Sequence, residues 1–215
     1  MSEGGDLLIA IDGPAGAGKS TVGRALAARL GLEYLDTGAM YRAVACAALR
    51  RGVPVTDEEA VAELARTMSL NVSDDGVFVD GEDVTSEIRG REVTTVVSAV
   101  AANAGVRAEL RTRQRTWARD HGGGVIEGRD IGTVVFPDAT LKLYVTASPQ
   151  ERAARRVREI GGNVDDVAAS IAERDRRDMT RLDGPLRPDG GAVVVDTTGM
   201  PIDNVVDTIV GMFER

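Results

Sequence analysis

Apolar positions along the chain follow two alternating patterns. Leu7 to Ile11 is an unbroken apolar run closed by Asp12-Gly13, as expected of a strand buried on both faces. Comparable runs recur at Tyr34-Leu35, Val125-Ile126-Glu127, Leu141-Lys142-Leu143-Tyr144-Val145 and Ala192-Val193-Val194-Val195-Asp196. Between them the spacing lengthens to a helical one. Val22, Leu26 and Leu30 fall at i, i+4 and i+8 after Lys19, and Gly31 supplies a C-terminal cap. A helix to about Arg51 follows Asp36-Thr37-Gly38 and is stopped by Gly52 and Pro54. Val93, Val96, Val97 and Val100 share one face of another, and a further helix runs from about Val106 to Asp120. Five such strands alternating with helices predict an α/β fold, a five-stranded parallel sheet flanked by helices.

Residues 53 to 105 differ in character. Thr56 and Glu59 have capping-box spacing, and Val72 and the pair Val77/Val79 flank Asp74-Asp75-Gly76, a hairpin signal. The segment reads as a small insertion in a core formed by 1–52 and 106–215. Further on, Ser148-Pro149-Gln150-Glu151 opens a helix, Gly161-Gly162-Asn163 interrupts it, and a second helix continues to about Arg181. Two helices joined by glycines over about 152–181 describe a hinged lid. The last helix follows Pro201.

Of the 215 residues 43% are hydrophobic and 28% charged, which excludes disordered and low-complexity classes. No run approaches the ~20 apolar residues of a membrane span. The first residues, Met1-Ser2-Glu3-Gly4-Gly5-Asp6, are acidic where a signal peptide is basic, so a cytoplasmic location is expected. A net charge of −8 disfavours nucleic-acid polymers and anionic lipid, and seven aromatics provide no stacking platform. Cys46, the one cysteine, lies in an alanine-rich helical stretch and reads as a small buried hydrophobe. With His121 the one histidine, a zinc site or a Ser-His-Asp triad is not expected. Among 26 basic residues only Lys19 and Lys142 are lysines.

One of those lysines stands in Gly13-Pro14-Ala15-Gly16-Ala17-Gly18-Lys19-Ser20, the phosphate-binding pattern G-x-x-x-x-G-K-[ST], placed between a predicted strand and a predicted helix. Small residues let backbone N–H groups turn around phosphate oxygens, and the helix presents its positive end. Lys19 suits the β and γ phosphates and Ser20 a Mg²⁺ ion, so a nucleoside triphosphate is the expected ligand. Arg174, Arg177 and Arg181 share a helical face with Asp178, and Arg152 and Arg155 repeat the spacing on the preceding helix. These faces suit either a lid over polyphosphate or a solvated surface. Arg107, Arg111 and Arg115 form another stripe, expected to be mostly solvent-facing.

Taken together, these motifs resemble the bacterial cytidylate kinases, nucleoside monophosphate kinases of the P-loop class. The resemblance runs from about Ile9 to the last helix. It rests on Gly13 to Thr21, on Leu35-Asp36-Thr37-Gly38-Ala39-Met40-Tyr41-Arg42, and on Gly81 to Val84 with Glu87-Ile88-Arg89. Glu127-Gly128-Arg129-Asp130 through Asp138 is the most specific match, followed by Glu173-Arg174-Asp175, Arg177-Asp178 and Arg181. The resemblance implies an inserted monophosphate-binding domain at 53–105 and transfer of the ATP γ-phosphate to CMP or dCMP. It implies that Gly13, Pro14, Ala15, Gly16, Ala17, Gly18, Lys19, Ser20 and Thr21 bind ATP as its Mg²⁺ complex, with Ser20 on the metal. Arg155 and Arg177 would reach ATP as the lid closes. Leu35 to Arg42, which includes Thr37, would be the acceptor-phosphate segment, and Arg42, Arg129 and Arg181, with Arg174 near on closure, would hold that phosphate. Ser98, Arg107 and Asp130 would read cytosine and Asp178 the sugar. Lys19, Arg42, Arg129, Arg174 and Arg181 would carry catalysis in a monomer that needs no macromolecular partner. Ala15 stands where some relatives have serine, so a side-chain contact from that position is missing.

Two rival functions share the P-loop. A kinase for another small acceptor (UMP, AMP or a hydroxyl metabolite) differs in its acceptor, and a hydroxyl acceptor calls for a nearby base. A non-catalytic nucleotide-binding regulatory module would form no ADP with any monophosphate.

Overall fold

The computed structural model describes residues 7–212, so the expectation drawn from Met1 to Asp6 lies outside the described residues. In chain order the elements begin with β1 (Leu7–Asp12), α1 (Lys19–Leu30), β2 (Tyr34–Asp36) and α2 (Thr37–Arg50). There follow α3 (Glu58–Thr67), β3 (Leu70–Ser73), β4 (Gly76–Val79), β5 (Glu82–Asp83), α4 (Arg91–Ala102) and α5 (Ala104–Asp120). The chain then runs through β6 (Gly123–Glu127), β7 (Leu141–Thr146), α6 (Pro149–Ile160), α7 (Val164–Thr180), β8 (Val193–Asp196) and α8 (Ile202–Val210). A single π-helical turn, Ile131–Val135, lies between β6 and β7.

The elements group into two compact units, one up to Tyr34 and from His121 onward, the other Leu35–Asp120. The first holds the five-stranded sheet, in the order β2-β6-β1-β7-β8, with β1 parallel to both β6 and β7 and β7 parallel to β8. Ile9, Ile11, Val125, Leu143, Val145 and Val195 fill its centre against Val22 and Leu26 of α1 and Val205, Val206 and Ile209 of α8. Each such side chain contributes roughly 1.5–3 kcal/mol by leaving water. The apolar spacing of α1 is thereby explained, and Gly31 caps it in the left-handed region (φ 65°) with its N–H on Ala27 O. Chain order reverses around the central β1, and ligands of such sheets bind beyond the carboxyl ends of the strands at that point.

The second unit packs α2 on α4, α3 on α5, and α2 on the antiparallel sheet β3-β4-β5. It is wider than the 53–105 segment expected from the sequence, because α2 and α5 bury their apolar faces on the helices of that segment. Cys46 and most alanines of α2 are buried here, and burial pushes the Cys46 thiol up to about 11, as suits a hydrophobe. Two details differ from expectation. The cap of α3 is Asp57, which accepts from Ala60 N at 3.0 Å, because the helix starts at Glu58 and Asp57 is the residue directly before its first turn. The arginine stripe of α5 is also not mainly solvent-facing, for Arg107 is 1% exposed and Arg111 half-buried, leaving Arg115 outside.

Gly13 links fold and site. A Cβ there would lie 2.0 Å from Val145 O, and φ is +150°, so only glycine lets the chain leave β1 beneath β7. Gly13→Ala is expected to cost at least about 3 kcal/mol in urea unfolding, against about 1 kcal/mol for Gly31→Ala, which meets open space. Equal costs would contradict this packing.

Candidate active site

The glycine loop leaves β1 and ends at Gly18, whose left-handed φ of 87° precedes the first turn of α1. Lys19 is buried, and its Nζ donates to Pro14 O at 2.9 Å. Burial, and then the neighbouring Arg129, push its ammonium down to about 7, with Glu127 opposing. Ser20 Oγ donates to Glu127 Oε1 at 2.6 Å, and Tyr34 OH donates to the same oxygen at 2.7 Å. Glu127 ends β6 in register with Ile11, which brings its carboxylate to the loop. Thr21 lies on the exposed side of α1.

Asp12 ties a second segment to this loop. Its Oδ1 accepts from Ile131 N and its Oδ2 from Gly132 N, both at 2.8 Å, so the carboxylate caps the π-helical turn that follows Arg129-Asp130. Arg129 Nε donates to Asp178 Oδ2 at 2.9 Å. Burial works to raise the Asp178 carboxyl, but Arg129 and Arg174 outweigh it and hold the group below the ordinary carboxylate range. Arg181 Nη2 lies 3.5 Å from Asp130 Oδ1, and its Nε donates to Asp183 O at 2.7 Å. The structure thus brings Lys19, Arg129, Asp130, Arg174, Asp178 and Arg181 into one partly buried cluster.

Beyond β7 the two helices differ in how they meet the loop. Arg155 of α6 donates from Nη1 to Ala17 O at 3.2 Å and from Nη2 to Thr197 O at 2.8 Å. Arg177 of α7 instead points outward, with its Nε on Glu173 at 2.7 Å. Of the two arginines expected to reach ATP, Arg155 thus already meets the loop, while Arg177 is exposed on Glu173. Asp12, Glu127, Asp175 and Thr197 are also buried at the site, and the sequence motifs imply no role for them. Asp12 directly precedes the loop and Asp175 lies within Glu173-Arg174-Asp175, so position was their available signal.

In the second unit Thr37 is buried in the first turn of α2, whose N-cap Asp36 accepts from Ala39 N at 3.0 Å. Arg42 Nη1 donates to Ile88 O at 2.9 Å and to Thr94 Oγ1 at 3.0 Å, which holds its guanidinium at the start of α4. Arg107 Nη1 lies 3.4 Å from Tyr41 OH, and Ser98 is half-buried on α4. This unit therefore contains cations held in fixed places, Arg107 at 1% exposure.

A parallel sheet with a phosphate loop after its central strand, cationic side chains around it and helices beyond β7 defines a P-loop kinase. The cytidylate kinase family model matches residues 9–215. The chain is 51% identical over 212 residues to a cytidylate kinase of Pelotomaculum thermopropionicum, covering 94% of this chain and 93% of that one. It is 50% identical over 220 residues to a bifunctional pantoate ligase/cytidylate kinase of a Synechococcus species, covering 97% of this chain but 40% of that protein. The chain thus spans less than half the length of such bifunctional relatives. A crystal structure of shikimate kinase from Bacteroides thetaiotaomicron superposes with a TM-score of 0.52 at 15% identity, over 97% of this chain and 99% of that one, a likeness of fold alone. The chain belongs to the cytidylate kinase family. Among the described residues no helix is long and apolar enough to cross a membrane.

The buried Asp12 sets a pH dependence. Burial pushes its carboxyl up to about 6, against the two N–H bonds and Lys19, with Asp130 adding to the rise. Its pKa in the folded protein lies above the ordinary 3.8, so the native state binds this proton more tightly. The resulting stabilisation is complete below about 4 and is lost as pH rises through about 6. The stability of wild type relative to Asp12→Asn is expected to fall by on the order of 2–3 kcal/mol between pH 4 and pH 7 in urea titrations. A pH-independent difference would contradict this environment.

Proposed function

We propose that the protein transfers the γ-phosphoryl group of ATP to CMP or dCMP, forming ADP and CDP or dCDP. The single observation that carries this reading is the cluster around Lys19, where Arg129, Arg174 and Arg181 join the loop lysine and Asp130 and Asp178 are buried among them. Membership of the cytidylate kinase family supports cytosine as the base.

The reaction needs little acid–base chemistry. A nucleoside monophosphate has its second pKa near ~6 and is largely dianionic at pH 7. An α-phosphate oxygen attacks the γ phosphorus, and the bond from that phosphorus to the β–γ bridging oxygen breaks. ADP leaves with the electron pair, and no proton has to be removed first. Repulsion between two polyanions is then the main barrier, and fixed cations in a site shielded from water lower it. Arginine suits the acceptor phosphate because its planar fork can bind two oxygens.

In this reading the ATP phosphates lie on Gly13 to Thr21, with Lys19 at the β and γ positions and Arg155 beside the loop. Arg177, which faces outward, would engage ATP only after α7 or its own side chain moves. Ser20 and Glu127 offer two hard oxygens 2.6 Å apart, a donor set that fits Mg²⁺. Held there, the ion would neutralise charge on the β and γ phosphates. For CMP, the assigned residues of the first unit are Arg129, Arg174 and Arg181 for phosphate, Asp130 for the base and Asp178 for the sugar. Those of the second unit are Thr37 and Arg42 for phosphate and Ser98 and Arg107 for the base. Segment 53–105 is proposed as the monophosphate-binding insertion and 152–181 as the lid.

Two variants test the assignment. Lys19 is buried at the site but lies outside the apolar core, and burial and Arg129 both disfavour its charge, so Lys19→Ala is expected to lower kcat by at least about 100-fold with a far smaller effect on Tm. Cytosine offers an N4 amino donor where uracil offers a carbonyl oxygen, so Asp130 is matched to the first and repels the second. Wild type is expected to favour CMP and dCMP over UMP and to leave AMP and GMP nearly unused. In Asp130→Ala, kcat/KM for CMP should fall by about 100-fold, and far less for UMP. A preference for AMP, or a CMP/UMP ratio unchanged by Asp130→Ala, would overturn the base assignment.

A further inference from the structure

Both helices beyond β7 grip the phosphate loop at one residue. Ala15 N donates to Asp175 Oδ1 at 3.0 Å, and Arg152 Nη1 donates to Ala15 O at 3.0 Å. The same Arg152 nitrogen also donates to Asp175 Oδ2, which closes a ring through the loop, the first turn of α6 and the fourth turn of α7. Asp175 is 4% exposed and the Arg152 side chain 12%. A buried ion pair gains little stability over an apolar pair of the same volume, but it demands one geometry.

The loop also lies flat on this helix turn. A Cβ on Gly16, whose φ is +74°, would sit 3.2 Å from Arg152 Cβ and 3.1 Å from Arg152 O. Three loop carbonyls are held by cations: Pro14 O by Lys19, Ala15 O by Arg152 and Ala17 O by Arg155. In a planar trans peptide the N–H points opposite to the carbonyl. Holding Ala15 O towards Arg152 therefore turns Gly16 N–H away from it, and holding Ala17 O towards Arg155 does the same for Gly18 N–H. Loops that bind phosphate need their N–H groups turned to one side in this manner.

We propose that Arg152 and Asp175 are positioning residues for phosphoryl transfer, fixing the peptides on either side of Ala15 so that the loop keeps its phosphate-binding shape. This rests on the reading of the loop as a nucleotide-phosphate site. It also places the fixed base of α6 and α7 at Arg152 and Asp175, within the segment assigned to the lid. A lid motion that preserves the ring is confined to the turns nearer Gly161.

Arg152 makes both contacts through one nitrogen, which suggests the test, because a lysine ammonium is also a single nitrogen with several protons. Affinity for ADP is measured by calorimetry without any acceptor, alongside kcat, both KM values and urea stability, for wild type, Arg152→Met, Arg152→Lys and Asp175→Asn. Arg152→Met is expected to weaken ADP binding and lower kcat by about 10-fold or more, while KM for CMP stays within about twofold. Arg152→Lys should recover ADP affinity to within about threefold of wild type, and Asp175→Asn, which keeps an acceptor for Ala15 N, should lie between. If Arg152→Met does not fold, Asp175→Asn and Arg152→Lys are judged by the same ADP measure. Unchanged ADP affinity in Arg152→Met or in Asp175→Asn would overturn the proposal. So would KM values for ATP and CMP that rise together in step with lost stability. A wild type that binds ADP but does not phosphorylate CMP would instead overturn the functional reading and leave this one standing.

Discussion

The first unit depends on keeping a dense set of charges buried around one glycine loop. Asp12, Lys19, Glu127, Asp130, Asp175 and Asp178 are all buried, and Arg129 and Arg152 are largely so. A buried charge is costly unless it is paired and hydrogen-bonded, and the elements around the loop supply most of the partners, with Arg152 Nε left without a hydrogen bond. Asp12 spans two main-chain amides, Glu127 takes two hydroxyls, and Asp178 and Asp175 each take an arginine. The cations remain close enough to one another that Arg129 helps depress Lys19. A polyphosphate is the ligand class that such an arrangement favours, because it relieves repulsion among the cations.

The same constraint connects the sheet to the chemistry. Parallel strands deliver Asp12 and Glu127 at adjacent carboxyl ends, and the following turns carry the loop and Arg129-Asp130. The π-helical turn after Asp130 begins at the two amides held by Asp12, so loop and acceptor-side residues share one anchor. An acceptor that is already ionised needs charge neutralisation and alignment more than proton removal. That matches a site with several fixed arginines and no histidine among its assigned residues.

Much of this was legible in the sequence because its determinants are local. Five apolar runs and the stripe of Val22, Leu26 and Leu30 define strands and a helix without long-range information. Gly13 to Ser20 is a contiguous pattern whose flanking elements confirm its context. The capping box at Thr56 misled by one residue, because the neighbouring Asp57 caps equally well by composition and only the backbone decides between them. The extent of the second unit was not legible, since α2 and α5 join it through packing rather than through a break in composition. Arg107 resembled surface arginines at helical spacing, yet α5 turns it inward while leaving Arg115 outside. The roles of Asp12 and Asp175, and the contact of Arg152 with the loop, were not legible for a related reason. Their partners are main-chain atoms far away in sequence, and no spacing rule encodes a contact between Ala15 and Asp175.

In the proposed function the charge cluster moves a phosphoryl group between nucleotides rather than merely holding one. Phosphorus NMR of wild type with ATP, CMP and Mg²⁺ tests it directly. The γ resonance of ATP should decline in step with growth of the CDP β resonance, mole for mole, with no accumulation of inorganic phosphate. Appearance of inorganic phosphate in place of CDP, or an ATP spectrum that stays unchanged with CMP present, would contradict the account.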